Sequence, residues 1–299
     1  MQATRANDRA AVHTALIGVF TGLVATGITV TGAISSNSVA ILADMLATIF
    51  EFLAVLLSWL TLRRMNREDK ITYNYGQGKM EGLASLSVAV LMFLSLGIIA
   101  FNALSRFTHP ETISGFGVWL VLAAHMIFGG INSSLFWRSL ALARRQKSSL
   151  LDSQARLFAT KAFSNLCMIL SLGFGLFLSQ YRWVQYMDPA TSVLIAAVMF
   201  FGAYQIVRQN IGDLLDKTLE ENLQVIILRE LAGFFDEYTA FHALRSRKSG
   251  RKIYIEVFLE FDGSRRHSEV QQVVDNMKAT LEAAIPDSDV SIIPTTRTP

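Results

Sequence analysis

Six apolar runs, each long enough to cross a hydrocarbon layer as a helix, dominate the chain as far as about residue 207. They cover about residues 14–34, 38–63, 83–107, 116–140, 157–179 and 189–207 and are separated by short polar connections. Beyond Asp213 the pattern changes to that of a water-exposed domain. LEENLQVIILRELAGFF repeats its apolar positions at helical spacing, whereas KIYIEVFLEF alternates strictly, with Ile253, Ile255, Val257, Leu259 and Phe261 on one face. A short strand at 242–247, a turn at 248–250, a helix at 268–285 and a last strand at 290–293 complete an α-β-β-α-β order. The predicted fold is an α-helical membrane protein: a six-transmembrane-helix bundle in residues 1–212, then a small α+β domain in 213–299, one sheet covered by two helices.

Composition agrees with that division: 52% of residues are hydrophobic and 17% charged, which excludes an ordinary soluble domain. The start, MQATRANDRAAVH, is polar and leads into an apolar run too long for a cleaved signal peptide. Arg63, Arg64, Arg67, Lys70 and Lys79 lie between the second and third runs, and Arg138, Arg144, Arg145, Lys147 and Arg156 are read as filling the loop between the fourth and fifth. Of the other three connections, that at 35–37 carries no basic residue and the remaining two have only Arg106 at an edge and Arg182. By the positive-inside rule the amino terminus, the Arg-rich loops and the carboxyl tail are cytoplasmic. Gly18, Gly22, Gly27 and Gly32 in the first run would let neighbouring helices approach closely. Cys167 is the single cysteine and makes no intrachain disulfide, and a net charge of +3 gives no reason to expect nucleic acid. Enzymatic readings have no support, since GQGK lacks the spacing of a phosphate-binding loop.

Asp44 and Glu51 stand inside the second apolar run. A carboxylate at the bilayer centre costs at least about 2.5 kcal/mol, so two in one span require partners or a pathway. Their seven-residue separation puts both on one stripe of the helix, with Thr48 between them. That stripe faces protein or water, either as part of an ion or proton pathway or as structural ion pairs. His125 in the fourth run is a candidate relay or replacement ligand, or is hydrogen-bonded to a neighbouring helix; Asn102 and Asn132 read as helix glue.

The order of these features, with SNSVAILAD opening the second span, YGQGKMEGLASL before the third and LLDKTLEE leading into the tail, resembles the cation diffusion facilitator family of metal/proton antiporters. The resemblance spans essentially the whole chain. It implies a homodimer with both termini in the cytoplasm, in the plasma (inner) membrane, and a ferredoxin-like or metallochaperone-like cytoplasmic tail. Metal cations and protons would be the substrates, with lipid as the surrounding partner and no cofactor. In that family the transport site uses two positions four apart on the second span and two on the fifth. Here these map to Ala47 and Glu51, and to Lys161 and Asn165. The resemblance also places a charge pair at Lys79 and Asp216, and peripheral metal ligands at Tyr73, Gln77, His242, Phe258, Gln271 and Pro294, where only His242 retains a metal-binding side chain.

An ammonium does not coordinate zinc while protonated, and as mapped only Glu51 and the oxygen of Asn165 could serve a metal, too few for a tight zinc site. Lys161 is instead expected to act as a tethered cation paired with Glu51, with Asp44 as a second acid toward the outer mouth. It would exchange its proton when a substrate cation enters. Two other readings stay open: the pair as a permanent lock in a non-transporting partner or scaffold for another membrane protein, and Lys161 snorkelling to the surface. Tyr254 and Phe258 are expected to form an apolar patch on the second face of the tail sheet, suited to a partner subunit or covered by a local helix.

Overall fold

The computed structural model describes residues 2–35, 39–65, 77–108, 116–177, 181, 186–250 and 252–297; the side chains of 2–7, 32–35, 39–44, 106–108, 116–118, 120–121, 175–177 and 188 lie outside that description. Six long helices come first: α1 (Gln2–Ser35), α2 (Val39–Met65), α3 (Gly78–Thr108), α4 (Phe116–Gln146), α5 (Ser149–Phe177) and α6 (Met187–Leu214). Among the described residues, α1, α2, α3, α5 and α6 contain stretches long and apolar enough to cross a membrane. α4 has 31 residues, about 46 Å at helical rise, and is long enough as well.

The helices outrun the apolar stretches that announce them. α1 takes in the polar start of the chain, and α4 and α5 absorb Arg138, Arg144, Arg145 and Arg156, so the expected basic loop shrinks to Lys147 and Ser148. Arginine is a good helix former, and Arg144 and Arg145 fall in the last turn of α4 and Asp152 in the first turn of α5, where each charge opposes the helix dipole. Lys147 adopts φ 50°, the left-handed conformation that ends many helices.

Antiparallel packing follows from contacts along the bundle. A central cluster contains Val55, Met92, Leu135, Phe158, Met199 and Ile206, and a second contains Leu62, Leu142, Leu150 and Leu151. Gly18 allows α1 to close on both α2 and α5: a Cβ there would lie 2.7 Å from Phe158 Cζ and 3.0 Å from Val55 Cγ1. Gly22 faces Phe52 in the same way, but a Cβ at Gly27 would meet nothing within 4 Å among the described residues; the surroundings of Gly32 lie outside that description.

The chain clusters into two compact units, the helical bundle through Asn210 and the segment from Ile211 onward, to which Lys79 at the start of α3 also belongs. The second unit contains α7 (Glu221–Ala232), β1 (Ala240–Ser249), β2 (Lys252–Glu260), α8 (His267–Ala284) and β3 (Ser288–Pro294). The sheet order is β1-β2-β3, antiparallel between β1 and β2 and parallel between β2 and β3. Ser249 pairs with Lys252 across a two-residue hairpin whose Gly250 has φ 60°, as a tight hairpin turn requires. Ile255, Val257, Leu259, Val290 and Ile292 pack with Ile227 and Leu231 of α7 and Met277 and Leu281 of α8.

The opposite sheet face departs from the expected apolar patch. Tyr254 and Phe258 are buried, and the guanidinium groups of Arg247 and Arg245 lie 5.1 Å and 5.4 Å from their ring centroids. On this face β1 covers the rings with cations, neither leaving them bare nor burying them under a helix.

Candidate transport site

The second and fifth helices meet at an ion pair. Lys161 Nζ lies 3.0 Å from Glu51 Oε2, with the two side chains 13% and 20% exposed. Lys161 does not snorkel; its amine is turned into the bundle. Val55 and Phe158, one turn from Glu51 and Lys161 respectively, belong to the central apolar cluster, which lowers the surrounding dielectric on that side.

Around Lys161 a second set of contacts runs to α4. Asn165 Nδ2 donates to the Lys161 carbonyl at 2.7 Å, and Asn165 Oδ1 lies 2.8 Å from His125 Nδ1. Because the amide nitrogen is committed to a carbonyl, the oxygen faces the ring, so His125 Nδ1 is the donor and Nε2 holds the lone pair of the neutral ring. Gly129 makes this approach possible, since a Cβ there would already lie 3.3 Å from Asn165 Cβ. Asn165 Oδ1 has a second lone pair, which it could offer to a cation with the His125 contact kept.

Of the other candidates on α2, Thr48 is half-buried one turn before Glu51. Ala47 is buried and contributes its carbonyl, which accepts from Ser95 Oγ of α3 at 3.0 Å. The side chain of Asp44 lies outside the described residues, as does Tyr73. Asn102 is half-buried and Asn132 buried. Among the described residues, no group of three or more His, Cys, Asp or Glu side chains is placed to hold a metal ion.

In the second unit Lys79 Nζ lies 2.8 Å from Asp216 Oδ2, with Arg247 3.7 Å from the same carboxylate; both partners of the first pair are about 40% exposed or more, so it contributes little stability. His242 Nε2 lies 2.9 Å from Glu260 Oε2, Gln271 donates to Asp275, and Pro294 pairs with Leu259 in the sheet.

One residue escaped sequence reasoning. Glu81, 2% exposed in the first turn of α3, accepts hydrogen bonds from Ser148 Oγ and from Leu150 N, the latter at 3.1 Å. The carboxylate thus caps α5, where unpaired N–H groups and the positive end of the dipole favour an anion. Its place in MEGLASL shows an acid at a helix start, but its partners lie 67 and 69 residues away.

A bundle of long helices with a charged pair between two of them, joined to a small α+β domain, defines an integral membrane protein of the transporter type. A family model described as the cation efflux transmembrane domain matches residues 15–215, and one described as the cation efflux protein cytoplasmic domain matches 219–292; the chain belongs to the cation efflux, or cation diffusion facilitator, family. It is a membrane transport protein of the metal-cation efflux class and not an enzyme, and the second domain supports a homodimer. Among relatives, the chain is 26% identical over 257 residues to the cation-efflux pump FieF of Shewanella oneidensis, covering 86% of this chain and 84% of that protein. It is 27% identical over 263 residues to FieF of Escherichia coli O127:H6, covering 86% and 83%, and 21% identical over 293 residues to protein p34 of Rickettsia rickettsii, covering 97% and 93%.

Proposed function

We propose that the chain exports a divalent metal cation from the cytoplasm in exchange for protons, using a transport site in which Lys161 replaces a metal ligand. The observation that carries this reading is the 3.0 Å contact between Lys161 and Glu51 inside the bundle. A cation arriving at Glu51 competes with the ammonium, and repulsion between the two positive charges favours release of a proton from Lys161. Cation and proton then move in opposite senses across the same site. Asp44 would act as the second acid toward the outer mouth, Asn165 as an oxygen ligand, and Thr48 and His125 as the polar path. The reading includes a membrane domain at 1–212 and a dimerisation domain at 213–299, with Lys79 and Asp216 as a charge pair at the membrane surface. It also places the protein in the plasma (inner) membrane with both termini cytoplasmic, supported by the alternation of basic residues between connections.

Purified protein in lipid vesicles should release protons when offered one of a panel of divalent cations, and Glu51→Gln should abolish the signal. Lys161→His should increase zinc binding if the fifth-span mapping is right. A second reading, that the protein is a non-transporting partner of another membrane protein, draws on Glu51 and Asn165 both being engaged by other side chains. Silence of the wild type across the whole panel would favour it.

A further inference from the structure

Of seven buried side-chain polar atoms without a hydrogen-bond partner among the described residues, five belong to four side chains within about a turn of one another in depth: Trp59 Nε1, Ser139 Oγ, Gln154 Nε2 and Oε1, and Asn210 Oδ1; the other two are Thr26 Oγ1 and Gln77 Oε1. Contacts between helices fix that depth. Along α2 and α5, Val55 and Phe158 converge on Gly18, while Leu62 clusters with Leu150 and Leu151; Trp59 and Gln154 lie between those two levels. Along α4, Leu135 belongs to the cluster of Phe158 and Leu142 to that of Leu151, which puts Ser139 between them. On α6, Gln205 accepts from Arg156, and Gly202 lies beside Thr160, so Asn210 falls about one and a half turns beyond Gln205, within about a turn of the level of Gln154. Ser139 and Gln154 are fully buried and Asn210 is 1% exposed.

The chemistry of these atoms selects their ligand. Trp59 can only donate, Asn210 Oδ1 can only accept, and Gln154 must do both. A metal ion would serve the oxygens but face the N–H groups; an anion would do the reverse. Water donates and accepts, and a buried water needs two to four such partners. We propose that waters bridging Trp59, Ser139, Gln154 and Asn210 form a hydrated station inside the bundle, on the side of the Arg-rich connections, through which protons released from Lys161 pass toward the cytoplasm. The apolar layer of Val55 and Phe158 separates station and ion pair, so proton passage requires that layer to open. The station stands on burial and hydrogen-bond chemistry alone; its use as a proton exit rests on the exchange proposed above.

The test uses the full chain in lipid nanodiscs with nitrogen-15 in its tryptophan indoles, the Trp59 signal being identified by its loss in Trp59→Phe. A magnetisation-transfer cross-peak between water and Trp59 Nε1–H is expected, and it should disappear in the Gln154→Leu/Asn210→Leu double variant. Gln154→Leu alone should not raise the melting temperature. No cross-peak in the wild type, or a cross-peak unchanged in the double variant, overturns the station. So does a rise in melting temperature for Gln154→Leu, because that is the response of a dry amide relieved of its burial cost. Ser139→Ala, the smallest change, repeats the reading should the double variant not fold, and is expected to weaken the cross-peak. Proton release from vesicles distinguishes the two ideas: a cross-peak with no proton movement in the wild type leaves the waters in place and removes the antiport reading. Proton release that survives loss of the cross-peak overturns the station's use as the proton exit.

Discussion

The ion pair between α2 and α5 is open to a double-mutant cycle. At 3.0 Å and an effective dielectric of about 20, two unit charges attract by about 5 kcal/mol, before the cost of removing both from water. That desolvation cost has already been met in the folded protein, so removing one partner leaves the other exposed to it. Breaking a buried pair by one substitution costs about 3–5 kcal/mol, and the low but nonzero exposure of both side chains argues for the lower end. Glu51→Gln and Lys161→Met should therefore each destabilise the protein by about 3 kcal/mol.

The double variant should lose much less than the sum, since no charge remains stranded and the methionine fills most of the lysine volume. Replacing both members of a buried pair by apolar or neutral groups is often neutral. Unfolding of full-length protein in detergent, monitored by tryptophan fluorescence for all four members of the cycle, gives the coupling directly. A coupling of about 2 kcal/mol or more is the expected result. If the two single effects add within error, the side chains do not sense each other, and the central pair ceases to be a basis for any mechanism. Transport need not be measured, so the outcome is independent of which cation the protein carries.

Three further changes test other contacts. Glu81→Ala should destabilise by about 2 kcal/mol, because Leu150 N–H and Ser148 Oγ lose a charged acceptor; Glu81→Gln, which keeps one acceptor oxygen, should lose less in the same unfolding assay. Gly18→Val should cost at least about 1–3 kcal/mol, since Phe158 is almost fully buried and cannot yield, whereas Gly27→Ala should be neutral or gain up to about 1 kcal/mol; equal effects at the two glycines would count against the packing described. In the tail, the Ser264 backbone N–H holds the Asp262 carboxyl below its ordinary value of 3.8, so the contact adds stability above that pH and loses it as pH falls through the lower folded value. A carboxyl titration followed by NMR in the full chain should place the Asp262 midpoint below 3.8, and Asp262→Ala should remove that part of the acid sensitivity.

The parts of this structure that were legible in the sequence are those set by local pattern. Apolar runs announce the helices, and the alternation around Ile255 announces β2, because both periods are properties of a few consecutive residues. The pairing of Glu51 with Lys161 could be anticipated only through the family resemblance, which matches the second and fifth spans; the cost of a lone charge in an apolar span says that each needs a partner, without naming it. Helix ends were less accessible: nothing in the hydropathy of Arg144 and Arg145 separates a helix end from a loop, and the turn at Lys147 is decided by backbone conformation. Glycine patterns were equally mute, as Gly18 and Gly27 look alike in sequence and differ only in what lies opposite. Phe258 was misread because its cover comes from Arg245, an i-to-j relation across a hairpin whose register the turn determines. Glu81 was missed for the same reason at longer range.

Glu81 and Glu51 together define how α5 is held. The first grips the helix at Leu150 and the second grips it at Lys161, eleven residues and about 16 Å further along. One grip is a cap that satisfies backbone groups at a helix end, with no mobile charge involved. The other is an ion pair whose ammonium, in the exchange proposed above, would give way to an arriving cation. A tilt of about 10° about the capped end would carry Lys161 through about 3 Å, comparable to the whole length of the ion pair. Phe158, packed against Gly18 and Val55 between the two grips, would be displaced in proportion. Under the proposed exchange, a change of charge at Glu51 would therefore be tied to the opening of the apolar layer beside it, and a bundle with the cap but without the ion pair would lack that tie.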